Sequence, residues 1–280
     1  MLPQTRLNSD ALYSVEQLLE PGGQRPNEDQ LIQAGNRFGV FDGASSLVPD
    51  LYDGHTGAWW ASHLAGDVFT EHEGTLFELG KLANQNLCRT MIRRGVDMAD
   101  RLQCWSTSGA VVAVQEESLE WWQIGDCQIL AIDHDGRGRL LAPYHNHDLE
   151  TLRLLKSLRE QGLPDVRERL QTCIEKVRRQ MNLSYGVLNG DSAALDFFRT
   201  GSLPLADLAH VLIFTDGLLP PAEDPGEPLN LNWLTERFLA GGLERIRLDL
   251  RRLERADVDC CRYPRFKIHD DIAVIAISLN

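Results

Sequence analysis

The sequence predicts an α+β fold: a four-layer α-β-β-α sandwich of two mainly antiparallel sheets flanked by helices. Three observations carry that expectation. Apolar runs of strand character occur from residue 29 to the end of the chain, so one sheet system spans it. Hairpin patterns stand on either side of a long helix pair, an order that is hard to fit to a parallel sheet. Helical spacing recurs in separate blocks, which supplies the outer layers.

The elements follow in order. "DQLIQAG" and "RFGVFDG" alternate apolar and polar residues and turn at Gly35-Asn36, as a hairpin does. "HTGAWWASHLAGDVFTEH" and "LFELGKLANQNLCRTMIRRGVDMADRL" place apolar residues at three- and four-residue steps, which predicts two helices. The stretch from Ser108 to Pro143 predicts a meander of four strands, with turns at Glu116-Glu117-Ser118 and Asp135-Gly136. "HDLETLRLLKSLREQ" and "LPDVRERLQTCIEKVRRQM" return to helical spacing with charged outer faces. "HVLIFTDG" is continuously apolar, as a strand buried on both sides would be. The Pro-rich loop 220–228, helices around 231–240 and 243–255, and the strand "DIAVIAISL" complete the chain. "LNGDSAALDFF" and the Pro-rich loop are read as segments that shape substrate access.

With 280 residues and 43% hydrophobic content, the chain can bury a large core. No linker or repeat divides it, so residues 1–280 are taken as a single domain. A net charge of −13 disfavours nucleic acid and anionic lipid as partners. "MLPQTRLNSDALYSVEQLLE" lacks the basic and apolar regions of a signal peptide, and no apolar run approaches the roughly 20 residues of a membrane helix. The expectation is a soluble, cytoplasmic protein. Cysteines at 88, 104, 127, 173, 260 and 261 form no C-x-x-C pair, and they are read as incidental thiols of a reducing compartment.

The chemistry is expected at the strand ends. Asp42, Asp126, Asp216 and Asp270 each stand at the edge of an apolar run. One such aspartate is ordinary turn chemistry. Four of them can converge at one rim of a sandwich, where carboxylates suit a hard divalent cation that keeps several waters. Brought together without a cation, they would repel one another and take up protons.

On these residues the sequence resembles the metal-dependent protein phosphatases of the 2C type, in their bacterial serine/threonine form. The matching pieces are "RPNEDQ", "FGVFDG", "SGAVVAV…WWQIGDCQIL", "VLIFTDG" and "HDDIAVIAI", in family order from residue 25 to 278. The resemblance implies the same sandwich, with two Mn²⁺ or Mg²⁺ ions at the sheet edge and a phosphorylated protein or peptide as substrate. Asp42 would bridge the ions and the Gly43 carbonyl would bind one of them. Asp216 and Asp270 would hold the other, and Asp126 would serve a weaker third. Glu28 and Asp29 would hold metal-bound waters, and Arg25 would grip the substrate phosphate, a task for which a planar guanidinium suits. Hydrolysis would proceed by a water bridging the ions, in a signalling role.

The sequence departs from the family pattern in three places. Arg25 and Asp29 are one residue closer than in the commonest form. "ASSLVPDLY" follows Asp42-Gly43, which reads as an insertion over 44–53, with a second "DGHTG" at Asp53 and His55 as a helix-entry residue or a general acid for the leaving group. Pro220 stands where many members carry an aspartate for the third ion. Two rival readings are a sandwich that acts as a sensor or scaffold, and a phosphatase of small phosphorylated metabolites. The first would have lost ligands, whereas Asp42, Gly43, Asp216 and Asp270 are all present. The second is not separable at the ligands, because specificity lies in loops.

Overall fold

A computed structural model describes residues 4–6, 13–45, 47–48 and 50–279. Residues 1–3 and 7–12 of the segment read for a signal peptide, and Ser46 and Pro49 of the expected insertion, lie outside the described residues. Among the described residues, strands form two antiparallel sheets. The first has β3 (Asp29–Ala34), β4 (Arg37–Gly43), β5 (Thr107–Val114), β6 (Ser118–Ile124) and β9 (Arg199–Pro204), in that spatial order. The second runs β1 (Gln4–Arg6), β2 (Tyr13–Glu20), β11 (Ile272–Leu279), β10 (His210–Phe214), β7 (Gln128–Ile132) and β8 (Gly138–Leu140).

The two-residue period of each strand divides the core into layers. Phe38 and Val40 of β4, Ala110 and Val112 of β5, Val211 and Ile213 of β10, and Ala273 and Ile275 of β11 fill the space between the sheets. Phe41, Val111 and Trp122 point the other way, onto α1 (Gly57–Glu71) and α2 (Leu76–Arg93). Leu212, Phe214, Ile272 and Val274 meet Leu234, Phe238 and Leu250 of α5 (Leu231–Arg255). These are the four expected layers. A helix pair, α3 (Leu149–Glu160) and α4 (Val166–Arg178), packs on itself through Leu155, Leu158 and Leu170. No helix among the described residues is long and apolar enough to cross a membrane.

Several expectations are corrected. The four strands from Ser108 to Pro143 are not one meander: β5 and β6 belong to the first sheet, β7 and β8 to the second, and the chain changes sheets at Gly125-Asp126. The second helix stops at Arg93, and Gly95 in the left-handed region (φ 78°) turns the chain away. Strands β2 and β9 were not foreseen, because "YSVEQLLE" and "RTGSLP" lack a clean apolar alternation. "LNGDSAALDFF" is fastened to α2. Asn84 Oδ1 accepts from Asn189 N and Gly190 N, and Asn84 Nδ2 donates to the Asp191 carbonyl at 2.8 Å. The expected break between two C-terminal helices is present within α5. Gly242 adopts φ 67°, and Glu16 of β2 accepts from Leu243 N at 3.2 Å.

Candidate metal centre

The inter-sheet face that carries Phe38 and Val40 carries Asp42 next, at the rim where the apolar core ends. Register extends this into a row: Asp42 pairs with Asp29 on β3 and with Ser108 on β5. The other sheet meets the row from below. Thr215, which follows β10 on the same inner face as Val211 and Ile213, donates its hydroxyl to Asp29 Oδ2 at 2.8 Å. Asp216 comes next, and Asp270 and Asp271 lead into β11. Asp126 sits in the crossover between sheets, with Ser108 Oγ donating to its Oδ1 at 2.5 Å and Gln128 Nε2 to its carbonyl at 3.1 Å. Both sheets therefore deliver carboxylates to one rim.

Their electrostatics follow from that crowding. Burial, then the charges of Asp29, Asp126 and Asp270, push the Asp42 carboxyl well above its ordinary range. Burial, then Asp42, Asp126 and Asp270, do the same to Asp216. The two face each other closely enough to share a proton. Burial also raises Asp29, against the opposing hydrogen bond from Thr215. Protons gather here as the sequence led us to expect.

Glycines let the backbone close in around the cluster. A Cβ at Gly43 would stand 2.4 Å from the Ala58 carbonyl and 2.7 Å from that of Glu28. Gly43 N donates to the same Glu28 carbonyl at 3.2 Å. A Cβ at Gly217 would meet the Asp271 carbonyl oxygen at 1.8 Å.

The remaining expected residues are placed as follows. Glu28 is partly buried, and its carboxylate accepts from Ser45 Oγ at 2.8 Å and Thr56 Oγ1 at 2.7 Å. Thr56 also caps α1 by accepting from Trp59 N at 3.1 Å, so Glu28 is tied to the start of that helix. Arg25 lies exposed in the β2–β3 loop. Asp53 is not brought to the cluster contacts: it sits exposed in a turn (φ 51°) and pairs with Arg94 Nη1 at 2.6 Å. His55 stacks on Trp59, with ring centroids 3.7 Å apart. Cys127 is buried beside Asp126, and burial and then Asp42 and Asp126 push its thiol up, which disfavours a thiolate nucleophile.

Four residues at the site escaped the sequence reading. Asp271 accepts from Gly22 N at 2.6 Å and Glu28 N at 2.9 Å, fastening the β2–β3 loop to the start of β11. Lys267 Nζ donates to Asp270 Oδ1 at 2.8 Å. His147 lies 3.7 Å from Asp126 Oδ2 and stacks flat on Tyr185 at 4.2 Å. Tyr144 is pushed up by burial and then by Asp216 and Asp126, so its hydroxyl stays protonated. The last two belong to "PYHNHD", whose density of polar and aromatic residues in a loop was the available signal.

The donors fit a hard divalent cation. All are oxygens, and the proton-rich pair Asp42–Asp216 marks where positive charge is wanted. Among the described residues, no three His, Cys, Asp or Glu side chains already close on a single point. An ion held by Asp42, Asp216 and Asp270 would draw these three carboxylates together, with water completing its shell.

A sandwich of this kind, with carboxylates from both sheets at one rim, defines a class of phosphate-ester hydrolases. The chain belongs to the protein phosphatase 2C family, whose model matches residues 23–244. The match ends before Asp270. No curated protein matches the chain. Among solved structures, the Mycobacterium tuberculosis serine/threonine phosphatase PstP/Ppp superposes with a TM-score of 0.59 at 16% identity, covering 96% of this chain and 100% of that one. The PstP catalytic domain in complex with two manganese ions gives 0.58 at 15% identity, over 95% and 98% of the two chains. RsbX in complex with magnesium gives 0.54 at 12% identity, over the full length of both. At these identities the likeness is one of fold.

Proposed function

We propose that this chain is a metal-dependent phosphatase of phosphoserine and phosphothreonine in proteins, acting as one domain over residues 1–280. The observation that supports this most is the convergence of Asp42, Asp126, Asp216 and Asp270 from two sheets on one rim. Asp42 and the Gly43 carbonyl would hold one Mn²⁺ or Mg²⁺, and Asp42, Asp216 and Asp270 the other. Asp126 would serve a weaker third ion, for which Pro220 supplies no ligand. When bound, the two ions lower the pKa of water and neutralise charge on the phosphoryl group.

The protein's own groups do the rest. Thr215 and Ser108 orient Asp29 and Asp126 through their hydroxyls. Ser45 and Thr56 fix Glu28, whose remaining lone pairs, with those of Asp29, would orient ordered water. Arg25, exposed in the β2–β3 loop, would take the substrate phosphate by its planar fork. We further propose a cytoplasmic protein that acts in signalling, with neither nucleic acid nor membrane as partner.

The test is turnover of a phosphopeptide panel beside small phosphate esters, with Mn²⁺ and with excess chelator. Phosphopeptide hydrolysis that requires Mn²⁺ is expected. Full activity in excess chelator would overturn the assignment, and turnover confined to small esters would make it a metabolite phosphatase.

A further inference from the structure

Lys267 brings a cation of the chain's own to the rim. Its Nζ stands 2.8 Å from Asp270 Oδ1, and 47% of its side chain remains exposed. The loop that carries it is firmly built. The Asp257 carboxylate accepts from Cys261 N, Arg262 N and Tyr263 N, all at 2.9–3.0 Å, and from Arg265 Nη1 at 3.0 Å. The Lys267 carbonyl accepts from Cys260 Sγ at 3.6 Å, and Arg159 Nη1 ties down the Cys260 carbonyl at 2.6 Å. Asp270 is held from behind, where buried Arg251 donates Nη2 to its carbonyl at 2.9 Å. The ammonium and the carboxylate thus meet between two fixed backbones.

We propose that Lys267 is a built-in competitor for Asp270, weakening the hold of the Asp216–Asp270 pair on its divalent cation. The inference rests on the proposed role of Asp270 as a ligand. A cation arriving there must displace the ammonium from one carboxylate oxygen and then bear its repulsion at close range. The charges of Asp42 and Asp271 also act on Lys267 and would keep its ammonium near the rim. The consequence is an ion that exchanges readily, so that occupancy of this position follows the free Mn²⁺ or Mg²⁺ concentration.

The test is calorimetric titration of Mn²⁺ into the full chain and into the variants Lys267→Gln, Lys267→Arg and Asp270→Asn. Lys267→Gln is expected to bind the Asp270-dependent ion about two- to fivefold more tightly, the scale of one partly exposed charge pair. That gain should shrink with added salt. Lys267→Arg, which keeps the charge, should stay close to the wild type. Equal or weaker binding by Lys267→Gln overturns the proposal while leaving the metal site intact, provided that Asp270→Asn loses the ion. Unchanged binding by Asp270→Asn removes Asp270 from the ligands, and this inference falls with it.

Discussion

Asp42 and Asp53 both precede a glycine, and the structure separates them by what holds each one. Asp42 ends β4 on the inter-sheet face, flanked in register by Asp29 and Ser108, whereas Asp53 sits in an exposed turn against Arg94. A bridging ligand needs a position fixed within about half an ångström, which a strand end provides. Asp42→Ala should therefore cut turnover at saturating Mn²⁺ by roughly a hundredfold or more, and Asp53→Ala should keep most of it. The reverse ranking in steady-state kinetics would move the site to the second Asp-Gly. The raised carboxyls give a second expectation. Asp42 and Asp216 hold protons above the ordinary carboxylate range, so a cation that binds them must release protons, and its affinity must rise with pH. Titrations in buffers of different ionisation heat will measure that release, and an observed heat independent of buffer would refute it. Asp42, Asp126, Asp216 and Asp270 were legible because an apolar run announces each. Lys267, Tyr144 and His147 were not, because no periodicity governs where a loop side chain lands.

Helix α5 supports the rim from outside the sandwich. Arg251, 2% exposed, donates to Glu20 at 2.7 Å, to Glu254 at 2.9 Å and to the Asp270 carbonyl, while Arg247 reaches Glu20 at 3.1 Å. Burial pushes Glu20 up, but hydrogen bonds and charge from Arg251 and Arg247 outweigh it and hold the carboxyl below its usual value. A depressed carboxyl contributes stability that is present above its unfolded pKa and is lost as pH falls through the folded one. Glu20→Gln should thus cost about 1 kcal/mol at neutral pH, since Arg251 keeps Glu254 but loses one charged partner. The difference from wild type should close in acid. Denaturant melts at both pH values decide this, and a constant difference would exclude Glu20 as the titrating group. None of this was readable in "LRRLERA", whose charges look like a solvated helix face. The helix itself was readable from its spacing, as was its break at Gly241-Gly242.

For the molecule as a whole, the fold class was legible because alternating strands and amphipathic helices leave few ways to bury both faces of two sheets. The crossover at Gly125-Asp126 was not, since nothing local distinguishes a hairpin from a step between sheets. That step is also why the site draws on both halves of the core. A ligand that binds only the folded chain stabilises it by about 2.7 kcal/mol at a hundred times its Kd, so Mn²⁺ should raise the melting temperature by roughly 4–6 °C in a chain of this size. The gap between Mn²⁺-loaded and chelated protein should widen as pH rises, because raised carboxyls contribute stability at low pH that is lost through their folded pKa values. Calorimetric melts across pH would show it, and a gap that narrows would contradict the proton-holding rim. With Asp42 on one sheet and Asp216 and Asp270 on the other, an ion held by all three, as proposed, would work as a rivet. Amide hydrogens near the rim in β4, β10 and β11 should then exchange through one shared opening when it is bound, and the two sheets should come apart separately once it is withdrawn.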